Sequence, residues 1–234
     1  MRPVTRGETP VDSNGKPVKF REHSDARPEL INRMGRYCSY CEIHLPMGMA
    51  VEHIQPKELY RDLEKDWTNF LLSCPSCNSR KGIKDINTQN FNSYYWPHLD
   101  NTFLPFVYEK DRAPRIAQFL NIPQQQIATN TLKLTGLDSE PTNRSSVKDP
   151  RWKPRLEAWQ IAEWARQDLD RDSSEAMRNR IKETATTIGF WSVWMTVFQD
   201  DADMRRRLIE AFPGTCSNCF DGQFQPISRP GGQI

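Results

Sequence analysis

No apolar run in this 234-residue chain approaches the roughly 20 residues that a helix needs to cross a bilayer, so no membrane is expected as a partner. Met1 is followed by RPVTRGETP, which lacks the apolar stretch of a secretory leader. The expected location is therefore a reducing cytoplasm. There the six cysteines read better as metal ligands than as disulfides. Internal repeats are absent. So is an excess of one charge: 32 Lys and Arg stand against 30 Asp and Glu, a net charge of +2. A strongly basic chain would point to nucleic acid outright, whereas here any such surface must come from local placement. Hydrophobic residues make up 37% and charged residues 26%, which fits a globular protein rather than a disordered one.

In chain order, residues 1–24 carry Pro3, Pro10 and Pro17 with few apolar side chains, and read as an extended basic arm. Up to Arg36 the bases are Arg2, Arg6, Lys16, Lys19, Arg21, Arg27, Arg33 and Arg36, against Glu8, Asp12, Glu22, Asp25 and Glu29. Both a tail packed on the domain and a phosphate-contacting arm fit that pattern. Residues 25–125 read as the next unit. It opens with a short helix capped by Ser24 or Asp25, then has strand-like stretches at 50–55, 103–108 and 115–120. Residues 126–150, rich in Gln, Asn, Thr, Ser and Pro, read as a linker with a short strand at 131–134. Residues 151–234 read as helical. Leu156, Trp159, Ala162, Trp164 and Ala165 form one apolar face, and Met177, Ile181, Ala185 and Ile188 form another. The run FWSVWMTVF, 190–198, should be buried.

Cys38-x-x-Cys41 and Cys74-x-x-Cys77 supply four thiolates in two knuckles, the pattern of a closed structural Zn²⁺ site. Thirty-two residues (42–73) separate the pairs, more than the roughly 15–20 of a plain ribbon. The intervening segment must be a unit of its own. A third pair, Cys216 and Cys219, cannot close a tetrahedral site alone. It could meet a second pair across a dimer, or join His44 or His98. The favoured reading is two incidental thiols.

Inside the zinc frame, Glu52 and His53 sit at a strand end, and Asn69 and Asn78 follow the histidine by 16 and 25 residues. Phosphodiester hydrolysis needs a base to take a proton from water, a divalent cation, and ligands that leave the cation open. A neutral imidazole suits the first task. One carboxylate and one amide oxygen are hard donors suited to Mg²⁺ or Mn²⁺.

The pattern C-x-x-C, E-H-I-x-P, N, C-x-x-C-N-x-x-K-G over about residues 36–85 resembles the HNH endonucleases. It implies an α+β fold: a ββα-metal HNH core stapled by a four-cysteine zinc site, with a largely α-helical C-terminal part. The resemblance implies that His53 is the general base, that Glu52 and Asn78 bind the catalytic Mg²⁺ or Mn²⁺, and that Asn69 holds the loop carrying His53. Asn78 stands where many members have histidine, and Glu52 replaces the commoner aspartate. Arg80, Lys81 and Lys84 follow on the same helix and are expected to contact nucleic-acid phosphates, DNA favoured over RNA. His23, His44 and His98 read as ordinary histidines.

Size and layout are also similar to the HNH nuclease subunits of Septu and retron-associated anti-phage defence systems, which work beside an ATPase. That likeness implies a partner docked on the tryptophan-rich helical half (Trp152, Trp159, Trp164, Trp191, Trp194). A plain helical core is the other reading. Two alternatives to a DNA nuclease stay open. One is a zinc-stapled nucleic-acid-binding module without catalysis. The other is an RNA (tRNA) nuclease toxin controlled by its partner.

Overall fold

A computed structural model describes residues 1–139 and 149–234. The expected linker falls partly on 140–148, outside the described residues. The central unit is a hairpin and a helix. Strand β1 (Ala50–His53) pairs antiparallel with β2 (Phe70–Ser73), in a register that sets Glu52 opposite Leu71 and His53 opposite Phe70. Helix α2 (Pro75–Lys81) follows at once. Its start is written in the sequence: Pro75 fixes φ in the first turn, and Cys74 accepts a hydrogen bond from the Cys77 amide. All four residues of β2 are buried, so the hairpin is sandwiched rather than half-solvated.

Helix α1 (Arg27–Met34) packs against this hairpin. Gly35 ends it at φ 74°, where an added Cβ would meet the Tyr37 ring at 2.6 Å. After α2 come two very short strands, β3 (Phe106–Val107) and β4 (Arg115–Ile116), paired antiparallel. They are the remnants of the longer strands expected at 103–108 and 115–120.

The strand expected at 131–134 is a helix instead. Helix α3 (Ile122–Thr135) opens with a capping box between Asn121 and Gln124 and closes at left-handed Gly136. Polar composition hid these caps, and Ala128, Thr131, Leu132, Leu134 and Thr135 pack inward.

Among the described residues four further α-helices follow: α4 (Trp152–Arg171), α5 (Glu175–Ile188), α6 (Trp191–Val197) and α7 (Ala202–Ala211). Ser174 caps α5 and Asp201 caps α7. Helix α6 is the buried centre of this half, with Trp191 and Trp194 at 0% exposure. Trp159 is buried as well. Trp164 is 56% exposed, so the apolar face read along α4 does not all turn inward.

The core is continuous, running from Leu30, Phe70 and Leu72 through Leu132 to Trp191, Trp194 and Leu208. The N-terminal arm belongs to it. Met1, Arg2 and Val4 are buried, and Val4 bridges to Thr215. Arg2 donates to the carbonyls of Met34, Phe212 and Pro213, and Arg6 to those of Thr68 and Phe70. These two bases are therefore structural, which corrects the phosphate-arm reading for them. No helix among the described residues is long and apolar enough to cross a membrane.

Candidate active site and zinc cluster

The sulfurs of Cys38, Cys41, Cys74 and Cys77 all lie within 4.8 Å of one another, and all four residues are buried. Those of Cys41 and Cys74 are 3.6 Å apart. Four thiolates at about 2.3 Å from a tetrahedral Zn²⁺ would be about 3.8 Å apart, so the donors fit that ion. One cation supports the cluster from the helical half. Arg151 donates to the Cys77 sulfur at 3.1 Å and to the carbonyls of Thr135 and Gly136. Asp149 pairs with the same guanidinium. A guanidinium beside four thiolates offsets the surplus negative charge of a zinc tetrathiolate.

The cluster fixes α2 to the loop before β1, and this brings three expected site residues together. Glu52, His53 and Asn78 line one open cleft of ≈310 Å³. His53 is wedged between the rings of Phe70 (centroids 5.3 Å apart) and His23 (4.9 Å), both edge-to-face. Its Nε2 is 2.9 Å from the Glu64 carbonyl. A carbonyl only accepts, so Nε2 carries the proton and Nδ1 keeps its lone pair. Burial holds the imidazole below its ordinary pKa, against the Glu64 bond and helped by His23 and Lys57. At neutral pH the ring is an uncharged base.

Asn69 stands behind the cleft. Its Oδ1 accepts from the Gln55 amide at 2.8 Å, and its Nδ2 donates to the carbonyls of Gln55 (2.9 Å) and Leu63 (3.2 Å). It therefore ties the loop after His53 to the segment holding Glu64. Asn78 is exposed in the middle of α2.

Glu52 is 2% exposed, and Lys81 Nζ lies 2.8 Å from its Oε1. Burial pushes the carboxyl up and Lys81 pulls it back. Lys81 also donates to the His53 carbonyl at 2.6 Å. This corrects the expectation for Lys81: with its side chain 2% exposed, it cannot reach an external phosphate. Arg80 lies 3.7 Å from Asp149 and packs on Gly136, and Lys84 sits over the Tyr94 ring. Of the three bases expected on nucleic acid, Lys84 is the one free of an acidic partner among the described residues.

His23, read from the sequence as an ordinary histidine, Arg27, read only as one of the bases of the N-terminal segment, and Lys57, not singled out at all, line the same cleft. Their distances along the chain from Glu52 and Asn78 carry no local signal. Cys216 and Cys219 are buried (5% and 0% exposed), so sharing a metal across a dimer would require the chain to open. Among the described residues no His, Asp or Glu joins them in a metal-holding group.

Comparison with known proteins agrees with the geometry. Residues 38–84 match the family model described as HNH endonuclease. The chain is 41% identical over 59 residues to the Septu protein PtuB of Bacillus thuringiensis, a match spanning 24% of this chain and 23% of that protein. The hairpin, the helix and the four cysteines that staple them make residues 38–84 an HNH endonuclease domain.

Proposed function

We propose that the chain is a cytoplasmic, metal-dependent endonuclease that hydrolyses phosphodiester bonds, DNA favoured, with His53 as the general base. The observation that carries this is the bond from His53 Nε2 to the Glu64 carbonyl, in a cleft shared with Glu52 and Asn78. That bond leaves Nδ1 to take a proton from the attacking water, and the lowered pKa keeps Nδ1 unprotonated when water arrives. Asn69 fixes the imidazole by fixing its loop. Glu52 and Asn78 offer a carboxylate and an amide oxygen, hard donors that fit Mg²⁺ or Mn²⁺. When bound, such an ion supplies positive charge against the developing phosphorane and the leaving oxygen. Zn²⁺ at the four cysteines is structural and takes no part in the chemistry.

The likeness to a Septu protein supports a role as an anti-phage effector, with a partner ATPase on the helical half. Trp164, exposed on α4, is the tryptophan placed to meet it. A second reading, binding without cleavage, is favoured by one observation: Lys81 already neutralises Glu52. The purified chain should nick supercoiled plasmid with Mg²⁺ or Mn²⁺, and His53→Ala should abolish nicking with zinc retained. Running single-stranded DNA and tRNA in parallel assigns the substrate. Binding with no cleavage of any of the three would select the second reading.

A further inference from the structure

Lys81 is buried on Glu52 and Arg80 is turned to Asp149, so the bases on α2 leave the cleft without a phosphate contact of their own. The opposite wall is different. It comes from the N-terminal side, where His23 opens a 3-10 turn (His23–Ala26) that runs straight into α1 at Arg27. His23 packs 4.9 Å from His53, which puts this segment at the reacting base. Its Nδ1 is buried without a partner. Arg27, four residues on, is exposed, and its guanidinium has no partner among the described residues. Lys57 reaches the same wall from the loop after β1, held loosely by Glu64 at 4.0 Å. Glu58 is the acid on this rim, and Glu52 is already neutralised. Arg27 is thus an unpaired cation among the described residues and Lys57 a loosely paired one, beside the carboxylate of Glu58.

We propose that Arg27 and Lys57, flanking His23, form the wall that holds a backbone phosphate of the nucleic-acid strand across the cleft from Asn78. This rests on the nuclease reading for its ligand class, but it is a statement about binding and is tested as one. An arginine fork suits a phosphate because it donates two parallel N–H bonds, and an unpaired one at a cleft rim loses little solvation on closing over it.

The test is anisotropy of a fluorescein-labelled duplex with the His53→Ala protein, titrated across salt concentrations. Each phosphate contact contributes a slope of about −0.9 in log K against log salt for duplex DNA. The Arg27→Gln, Lys57→Gln double variant should flatten the slope by about 0.9, the contribution of the one phosphate, and each single variant by less. Arg27→Lys should keep the parent slope, which separates lost charge from altered fold. Arg171→Gln, in the helical half, should leave the slope unchanged. An unchanged slope in the double variant, or no duplex binding by the parent, overturns the proposal. If the slope flattens but wild-type protein cleaves nothing, the wall stands and the nuclease reading falls. If wild type cleaves and the slope is unmoved, the wall falls alone.

Discussion

Replacing Lys81 by methionine separates a structural cation from a substrate contact. Methionine keeps the length and apolar stem but removes the charge. Glu52 then remains 2% exposed with no cation at 2.8 Å. Breaking a buried ion pair from one side destabilises by roughly 3–5 kcal/mol, because the surviving charge keeps its desolvation penalty. The lost donor to the His53 carbonyl, a charge-assisted bond at 2.6 Å, lies within that figure rather than on top of it. The pair double variant, Glu52→Gln with Lys81→Met, should recover part of the loss, with a coupling of roughly 1–3 kcal/mol. Urea unfolding followed by tryptophan fluorescence reads this, at one saturating zinc concentration so that metal release does not shift the midpoint. A loss below about 1 kcal/mol with no coupling, together with a flatter salt dependence of DNA binding, would refute the argument. It would return Lys81 to the phosphate face.

Asn69→Ala removes three hydrogen bonds and should slow single-turnover cleavage at least about tenfold, with a stability loss of roughly 1–3 kcal/mol and zinc content unchanged by metal analysis. Arg151→Met strips a donor from Cys77 and from two buried carbonyls, and competition with a chromogenic chelator should show zinc affinity down about 10–100-fold. His98 is 8% exposed and held well below 6.5 by burial, reinforced by Arg6 and Arg229. The folded chain keeps it neutral while the unfolded chain protonates it. Stability should therefore fall as pH drops below about 6.5, by up to about 1.4 kcal/mol per unit, and His98→Gln should flatten that slope in urea titrations. Residues 25–125 expressed alone should fail to fold cooperatively, since they lack Arg2, Arg151 and α6; sharp, dispersed amide spectra with one bound zinc would contradict this.

The four-cysteine cluster was legible because each Cys-x-x-Cys spacing is short and fixed by covalent geometry. The role of Lys81 was legible too, but on a different rule. Cys77 is buried as a cluster member, and a residue four positions on shares its helix face, so Lys81 had to be buried with it. Reading α2 as a uniformly basic end missed that periodicity. Helix α3 was hidden by polar composition, although Asn121, Gln124 and Gly136 spell its caps. Arg27 was legible only as one base of the N-terminal segment, and its meeting with Lys57 was beyond reach, because the cleft that joins them exists only after α1 packs on the hairpin.

The bases of this chain, whose net charge is +2, divide by what they bind. Several bases are consumed internally. Arg2 joins the end of α1 to the end of α7, Arg6 holds two carbonyls at the head of β2, Arg151 holds the zinc cluster to α3, and Lys81 holds Glu52. Lys81 and Arg151 are neutralised by carboxylates, whereas Arg2 and Arg6 keep their charge but turn their donors to carbonyls and so have none left for a phosphate. What remains at the cleft is a small cationic rim of Arg27 and Lys57. The helical half is tied to α2, which holds Asn78, through the Arg151 bond to the Cys77 sulfur, and to the end of α1 through Arg2. A partner that binds there and carries its own basic surface would raise the local concentration of nucleic acid without altering the catalytic residues.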